Sequence, residues 1–397
     1  MIVPLSPSRR PSDAPNKTRL RKAARQEKKK LRRIERALAA GRVEKARFLQ
    51  RRYLASFDVK LTSVVAVNKK LAKDRRVHKT RLIQNAEALN PWRGTNELAR
   101  AYALPKAGGG FRAITSYGAQ ARALQQMVRC AVRPFARFDP RQHAVTNGGR
   151  DAAIAKVKDG VAHGLKWFVR LDIASFYQNV DERRLINFVP APRGVILHTV
   201  GSPRNVVLGH SSRVVDPRTL LLASQRGLSQ GAGSSPIIAE MIVAQILGQI
   251  SSDAVVINCS DDFAVMARTR REVVSLSEAL TSAVRRCPHG HLQLEPKSAI
   301  RRVSDGFSFL GYDFRFRRSR LKCEPSRSNI AKFVTKAALI LRRPSAEAAR
   351  NELQRYVRSW RNAFSQWDAG PDMLAPRVWI LQISKILDAN ALRVSAT

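Results

Sequence analysis

Ala254-Val-Val-Ile-Asn-Cys-Ser-Asp-Asp-Phe-Ala-Val-Met266 sets two adjacent aspartates, Asp261 and Asp262, between two apolar runs. Both runs have the length and β-branched content of strands, so the stretch predicts a hairpin with carboxylates at its tip. Asp262 follows Asp261 in the turn and is expected to point the other way. Aspartate is a common turn residue that supports hairpins through local hydrogen bonds, so the pair alone has a purely structural explanation. A third carboxylate changes the balance. Asp172 closes another apolar run, Lys166-Trp-Phe-Val-Arg-Leu-Asp-Ile173, and between the two lies a Gly-rich turn, Gly227-Leu-Ser-Gln-Gly-Ala-Gly-Ser-Ser-Pro236.

The 397 residues carry 72 Lys+Arg against 30 Asp+Glu, a net charge of +42. Such a field favours polyphosphate backbones, bound without sequence preference and weakened by salt. An anionic membrane would also attract it, but no stretch approaches the ~20 continuous apolar residues that span a bilayer, and the N-terminus has no apolar signal core. The sequence therefore predicts a soluble, cytoplasmic protein with nucleic acid as partner and no membrane. Cys130, Cys259, Cys287 and Cys323 are scattered without a Cys-x-x-Cys pair, so neither a disulfide framework nor a four-thiolate zinc site is indicated. Cys287-Pro-His-Gly-His291 has two histidines and a thiol, but its Pro and Gly make a surface turn the better reading than a zinc site.

Four segments follow from composition. Residues 1–16, rich in Pro and Ser, are expected to be disordered. Residues 17–99 form a basic helical N-terminal extension: residues 19–36 hold ten Lys/Arg against two Glu on a helical pattern, a one-sided charge that invites an anion. Gly41 breaks that helix, and a less polar helical pattern runs from Ala46 to Leu71. Residues 100–322 contain the hairpin, the loop and two short strands around Gly108-Gly-Gly110, followed by a helix from Ala119 to Phe135 that carries Arg122; Arg112 projects from the second strand. Residues 323–397 are helical, with Leu353, Tyr356, Val357, Trp360, Phe364 and Trp367 on a core stripe and Arg355, Arg358 and Arg361 on other faces.

The carboxylates have a chemical rationale. Extending a nucleic acid is an in-line displacement at phosphorus, in which two Mg²⁺ ions ~3.5 to 4 Å apart stabilise the incoming and departing oxygens. Mg²⁺ takes a few hard oxygen ligands and keeps its waters, so two aspartates from different strands and a backbone carbonyl suffice. Asp172 and Asp261, with the Ile173 carbonyl, meet that need, and Phe176-Tyr177 follow as packing. Ser235 and Pro236 start a helix whose stripe is Ile238, Ile242, Ile246 and Ile250. The loop before it can bring Gln230 and Gly231 near a nucleotide.

In this order the motifs resemble the bacterial reverse transcriptases, with group II intron, retron and defence-associated branches, from about Leu104 to Phe316. The resemblance implies an α+β right-hand polymerase: fingers and palm of antiparallel sheet plus helices over 100–322, a helical thumb over 323–397 and the basic extension. Phe111-Arg-Ala-Ile114 and Ala121-Arg-Ala-Leu-Gln125 look like the fingers segments whose arginines, here Arg112 and Arg122, hold the triphosphate. Asp172-Ile-Ala-Ser-Phe-Tyr177 is similar to the first palm motif, with Tyr177 in the place of the aromatic gate that rejects a ribose 2′ hydroxyl. Gly227-Leu-Ser-Gln-Gly231 matches the second, and Cys259-Ser-Asp-Asp262 the usual Tyr-Ala-Asp-Asp. Leu292-Gln-Leu-Glu-Pro-Lys297 resembles the segment whose lysine protonates pyrophosphate, and Phe309-Leu310-Gly311-Tyr312 the primer grip.

The resemblance thus implies RNA-directed DNA synthesis from dNTPs on an RNA template, with Asp172, Asp261, Asp262 and Lys297 catalytic and Mg²⁺, or Mn²⁺ as substitute, as cofactor. Cys259 replaces a tyrosine, Ala144-Val-Thr-Asn-Gly-Gly-Arg150 stands where the intron branch has Ser-Tyr-Gly-Phe, and no retron-type Val-Thr-Gly is present. With the chain ending at Thr397, neither a maturase segment nor an endonuclease is expected. The expectation is a stand-alone enzyme with a dedicated structured non-coding RNA in anti-phage defence, with homo-oligomers an open possibility. The alternatives are an intron-type enzyme without endonuclease and a non-catalytic RNA-binding splicing or assembly factor.

Overall fold

The computed structural model describes residues 17–106, 109–203, 205–209, 215–251, 254–318 and 320–368. In chain order the elements are α1 (Lys17–Ala39), α2 (Val43–Ala55), α3 (Phe57–Lys70), α4 (Lys79–Ala88), β1 (Ala99–Pro105), β2 (Phe111–Ser116), α5 (Ala119–Val132), α6 (Gly149–Ala162), β3 (Trp167–Ile173), α7 (Phe176–Asn179), α8 (Glu182–Phe188), α9 (Arg193–Thr199), β4 (Val206–Leu208), α10 (Pro217–Ser224), α11 (Ser235–Leu247), β5 (Val256–Cys259), β6 (Asp262–Ala267), α12 (Arg270–Arg285), β7 (Leu294–Pro296), β8 (Arg301–Arg302), β9 (Phe307–Phe309), β10 (Tyr312–Arg317), β11 (Arg320–Pro325), α13 (Arg327–Leu341) and α14 (Ala346–Ala363). They gather into two compact units, one within residues 1–139, 173–249 and 283–293, the other within 140–172, 250–282 and 294–397. The disorder expected of residues 1–16 and the thumb expected beyond residue 368 lie outside the described residues.

In the first unit, α1 buries Ala23, Ile34 and Ala37 and keeps its outer face basic. Its inner face is tied down by the Tyr53 hydroxyl donating to Glu27 at 2.9 Å and by a Lys30–Asp58 ion pair at 3.3 Å. The helical pattern from Ala46 to Leu71 is broken at Ser56, which is extended and separates α2 from α3. β1 pairs antiparallel with β2 and parallel with β4. The helix expected to reach Phe135 keeps α-geometry to Val132 and tightens into a 3-10 turn over Arg133–Phe135, where Pro134 cannot donate to the helical ladder. On and after α11, Ile238, Ile242, Ile246 and Ile250 are buried as the stripe requires. The helix cap is Ser234, one residue before the Ser235 expected.

Cys287 and His289 are buried, with the His289 Nε2 2.6 Å from the Gln245 Oε1 and its ring 3.9 Å from that of Phe188. The segment is thus a packed turn rather than a surface one, because the imidazole finds an amide and an aromatic partner.

The second unit is built on a sheet of order β5-β6-β3-β7, with β8 also on β3. Strands β3 and β6 are antiparallel with Asp172 opposite Asp262. One core cluster joins Ile154 and Val157 of α6, Phe168 and Met266 of the sheet, Phe307, Phe309 and Phe314 of the β9-β10-β11 meander, and Phe333, Trp360 and Phe364 of α13 and its successors. The aromatic stripe of the C-terminal helices is therefore core: Phe333 stacks on Tyr356 at 5.3 Å and lies 4.7 Å from Trp360.

Candidate active site

The β5–β6 hairpin has Cys259 paired with Asp262, leaving Ser260 and Asp261 as its two-residue turn. Ser260 takes a left-handed φ of +64°. Asn258, fully buried, holds the turn from inside by donating to the carbonyls of Ser260 (2.9 Å) and Asp262 (3.2 Å). Asp262 is therefore the first strand residue and not a tip residue. The expectation that it points away from Asp261 is corrected by the register, because Asp262 sits directly across from Asp172 on one face of the sheet. Asp172, Asp261 and Asp262 each offer an oxygen within 4.8 Å of the other two.

Two cations of the same unit answer these carboxylates. Arg170, two residues before Asp172 on β3, donates through Nε (2.7 Å) and approaches through Nη2 (2.6 Å) the same Oδ1 of Asp262. Lys297 places Nζ 3.4 Å from the Asp172 Oδ2 and 3.1 Å from the Glu295 Oε2. Its backbone is fixed, since the Lys297 N–H donates to the Arg170 carbonyl at 2.8 Å and the Arg170 N–H to the Ser298 hydroxyl at 3.0 Å.

Burial, reinforced by the charges of Asp261 and Asp262 and opposed by Lys297, pushes the Asp172 carboxyl up to about 6. Burial likewise raises Asp262, against the pull of Arg170. Hydrogen bonding to Glu295 first, and then the charge of Asp172, raise Lys297 despite some desolvation. Asp172 and Asp262, whose ionisation is disfavoured chiefly by burial, lie with Asp261 in a three-carboxylate cluster that fits a divalent cation, whose charge would offset the concentration of negative charge. Asp172 and Asp261, the two not tied to Arg170, are the residues that would hold it.

The remaining sequence candidates divide between the units. In the first, Ile173 and Phe176 are buried, and Tyr177 packs edge-on against Phe176 at 5.9 Å. Arg112 is exposed on β2 and Arg122 half-buried on α5; neither has an ion-pair partner among the described residues. The Gln230 carbonyl accepts from the Thr115 N–H at 2.7 Å, and Gly231 has φ +132° with a Cβ position only 2.0 Å from the Thr115 carbonyl oxygen, so only glycine fits. Gly227 is equally forced, its Cβ position being 2.1 Å from the Tyr177 carbonyl oxygen. The Gln230 Oε1 is buried without a hydrogen-bond partner among the described residues, and the buried hydroxyls of Ser229 and Tyr117 lie next to each other. The Gln230 oxygen beside this glycine-rich loop leaves an acceptor that a water or a polar ligand can satisfy.

In the second unit, Phe309 and Tyr312 flank a two-residue turn of Leu310 (φ +48°) and Gly311 (φ +84°). Both aromatic side chains are fully buried, and Arg150 lies 5.4 Å over the Tyr312 ring. The turn is tied down by the Gly311 carbonyl, which accepts from the Ser326 N–H at 2.9 Å and from the Asn329 side-chain amide at 3.0 Å. Sequence reading missed Asn258, Arg170, Glu295 and Ser298. Arg170 was legible as the polar residue in an apolar strand two positions before Asp172; the others had no signal apart from neighbourhood.

A mixed helix and sheet structure presenting two carboxylates of a hairpin beside a third on the adjacent strand is compatible with a polymerase palm. The family model described as "Reverse transcriptase (RNA-dependent DNA polymerase)" matches residues 104–314, and the chain belongs to that family. Among solved structures it is similar to telomerase from Candida albicans in complex with a TWJ fragment of telomeric RNA, at 10% identity and TM-score 0.39, covering 70% of this chain and 55% of that one. It is also similar to apo telomerase from Candida tropicalis truncated from its C-terminal domain, at 13% identity and TM-score 0.35, covering 57% of this chain and 55% of that one. The chain thus spans about half the length of either. No curated protein matches the sequence. Among the described residues, no helix is long and apolar enough to cross a membrane.

Proposed function

We propose that this protein is an RNA-directed DNA polymerase that extends DNA on an RNA template from dNTPs, with divalent cations, Mg²⁺ by preference, held by Asp172 and Asp261. The observation that carries this is the cluster of Asp172, Asp261 and Asp262 within 4.8 Å of one another, set on a family match that spans the hairpin. When bound, the cations supply Lewis-acid charge to the attacking and leaving oxygens of phosphoryl transfer. Arg170 keeps Asp262 oriented, and Lys297 holds at Nζ the proton that the leaving pyrophosphate takes. Arg112 and Arg122 bind the triphosphate, Gln230 and Gly231 line the nucleotide, Tyr177 excludes a 2′ hydroxyl and the Phe309–Tyr312 turn meets the primer. Support for these roles comes from motif resemblance, from two arginines without an ion-pair partner among the described residues and from the Gln230 oxygen, likewise without a hydrogen-bond partner among them.

The exposed basic face of α1, with Arg25, Lys28, Lys29, Arg32, Arg33 and Arg36 together, favours a phosphate backbone as its ligand. On that basis we propose a dedicated structured RNA as template, and an anti-phage role by resemblance to defence-associated enzymes.

The test is to purify the protein from its native host without nuclease, sequence the bound RNA and assay the complex for dNTP incorporation with Mg²⁺. One abundant RNA that templates DNA is the expected result. Intron RNA would favour the intron-encoded alternative, and specific RNA without incorporation would leave a binding factor.

A further inference from the structure

The two cations beside the carboxylates are held differently. Arg170 makes two short contacts to one oxygen of Asp262, 2.7 and 2.6 Å, and so stays with it. Lys297 is shared: its ammonium lies 3.1 Å from Glu295 and 3.4 Å from Asp172, both at ordinary ion-pair length, while its backbone is pinned to Arg170. Glu295 lies on β7 and Lys297 one residue past its end, and the two side chains meet at 3.1 Å. Lys297 and Glu295 are 39% and 52% exposed against 18% for Asp172, so the lysine can change partner by rotating its flexible stem without disturbing the core.

A divalent cation at Asp172 repels the ammonium beside it and, on Oδ2, competes with Lys297 for the same atom. The cost of moving Lys297 away depends on where the ammonium goes.

We infer that Lys297 is an internal counter-ion of the metal-free carboxylate cluster and that Glu295 is a positioning residue, acting through Lys297, which receives the ammonium when a divalent cation takes Asp172. This rests on the reading of Asp172 as a metal ligand. Without Glu295, the nearest anion left to Lys297 is Asp172 itself, and lysine and metal compete for one oxygen. With Glu295, the lysine is retained beside the site and remains available to the leaving group.

The experiment titrates Mn²⁺ alone into the full chain, stripped with EDTA and free of nucleotide, and reads free Mn²⁺ by electron paramagnetic resonance. Glu295→Gln should weaken Mn²⁺ binding about five- to tenfold, and Glu295→Asp should recover part of the loss. Lys297→Met should tighten binding, and in that background Glu295→Gln should change it less than about twofold. Glu295 is half-exposed, so these variants should fold, and unchanged melting temperatures in EDTA verify it. Wild-type binding that Glu295→Gln leaves unaltered overturns the proposal alone. An equal loss with and without Lys297 also overturns it, because Glu295 would then act on the metal directly. Failure of the wild type to bind Mn²⁺, with no effect of Asp172→Asn, overturns the metal reading and this proposal with it.

Discussion

Asp172 and Asp262 face each other as register partners across the antiparallel β3–β6 pair, and the charge of Asp262 is answered from its partner strand by Arg170 at 2.7 Å. Two acidic residues in a non-core position of a sheet repel when directly opposite. The sheet therefore presents, at one end, a repulsion that Arg170 and Lys297 offset.

That repulsion gives the metal-free protein a pH dependence. The Asp172 carboxyl, at about 6 when folded against 3.8 unfolded, binds more protons in the folded chain between those values. Stability in EDTA should therefore fall as pH rises from about 4 to 6 and level off above, and Asp172→Asn should flatten this limb. Thermal melts at pH 4.5 and 7.5, with and without Mg²⁺, measure it; Mg²⁺ should recover stability on the high-pH side only.

On the proposed reading, Asp172→Ala and Asp261→Ala should each reduce dNTP incorporation by at least ~10³-fold, since either would remove a ligand of the proposed metal centre. RNA affinity, measured by filter binding, should change less than about twofold. Equal loss of both properties would sink the assignment of these residues as metal ligands.

Arg170→Met leaves the Asp262 carboxylate buried without its partner. Because both side chains retain some exposure, the expected loss is about 1–3 kcal/mol in denaturant unfolding, below that of a fully buried pair. Asp262→Asn should restore most of it in the double variant. Additive losses would show that the two side chains do not act as a pair.

Asn258→Ala removes both donors beneath the hairpin turn and should cost about 1–3 kcal/mol. Incorporation should fall more than stability does, because Asp261 sits in the turn that Asn258 supports. Activity measured well below the melting temperature separates the two effects.

Gly231→Ala places a methyl group against the Thr115 carbonyl at a φ that side chains rarely adopt. If the loop lines the nucleotide, KM for dNTP should rise at least about tenfold at unchanged RNA affinity. A kcat loss without a KM change would remove Gly231 and Gln230 from the nucleotide site.

Much of this was legible from residues. The β5–β6 hairpin, Asp172 at a strand end, the isoleucine stripe of α11 and the aromatic stripe of α14 all follow from local periodicity, and each element forms as its pattern requires. Their boundaries were less legible. Ser56 and Pro134 each shift a helix end by a local backbone preference that competes with a continuing apolar pattern.

The sequence by itself determined the family's order of motifs, the basic charge and the identity of the three carboxylates, because these are properties of residue type and spacing along one chain. Only the tertiary structure decided that Asp262 turns toward Asp172, that Arg170 and Lys297 divide the carboxylates between them, and that Glu295 shares the lysine. Those facts depend on which residues face one another across β3, β6 and β7, strands far apart in the chain whose pairing no connecting turn fixes.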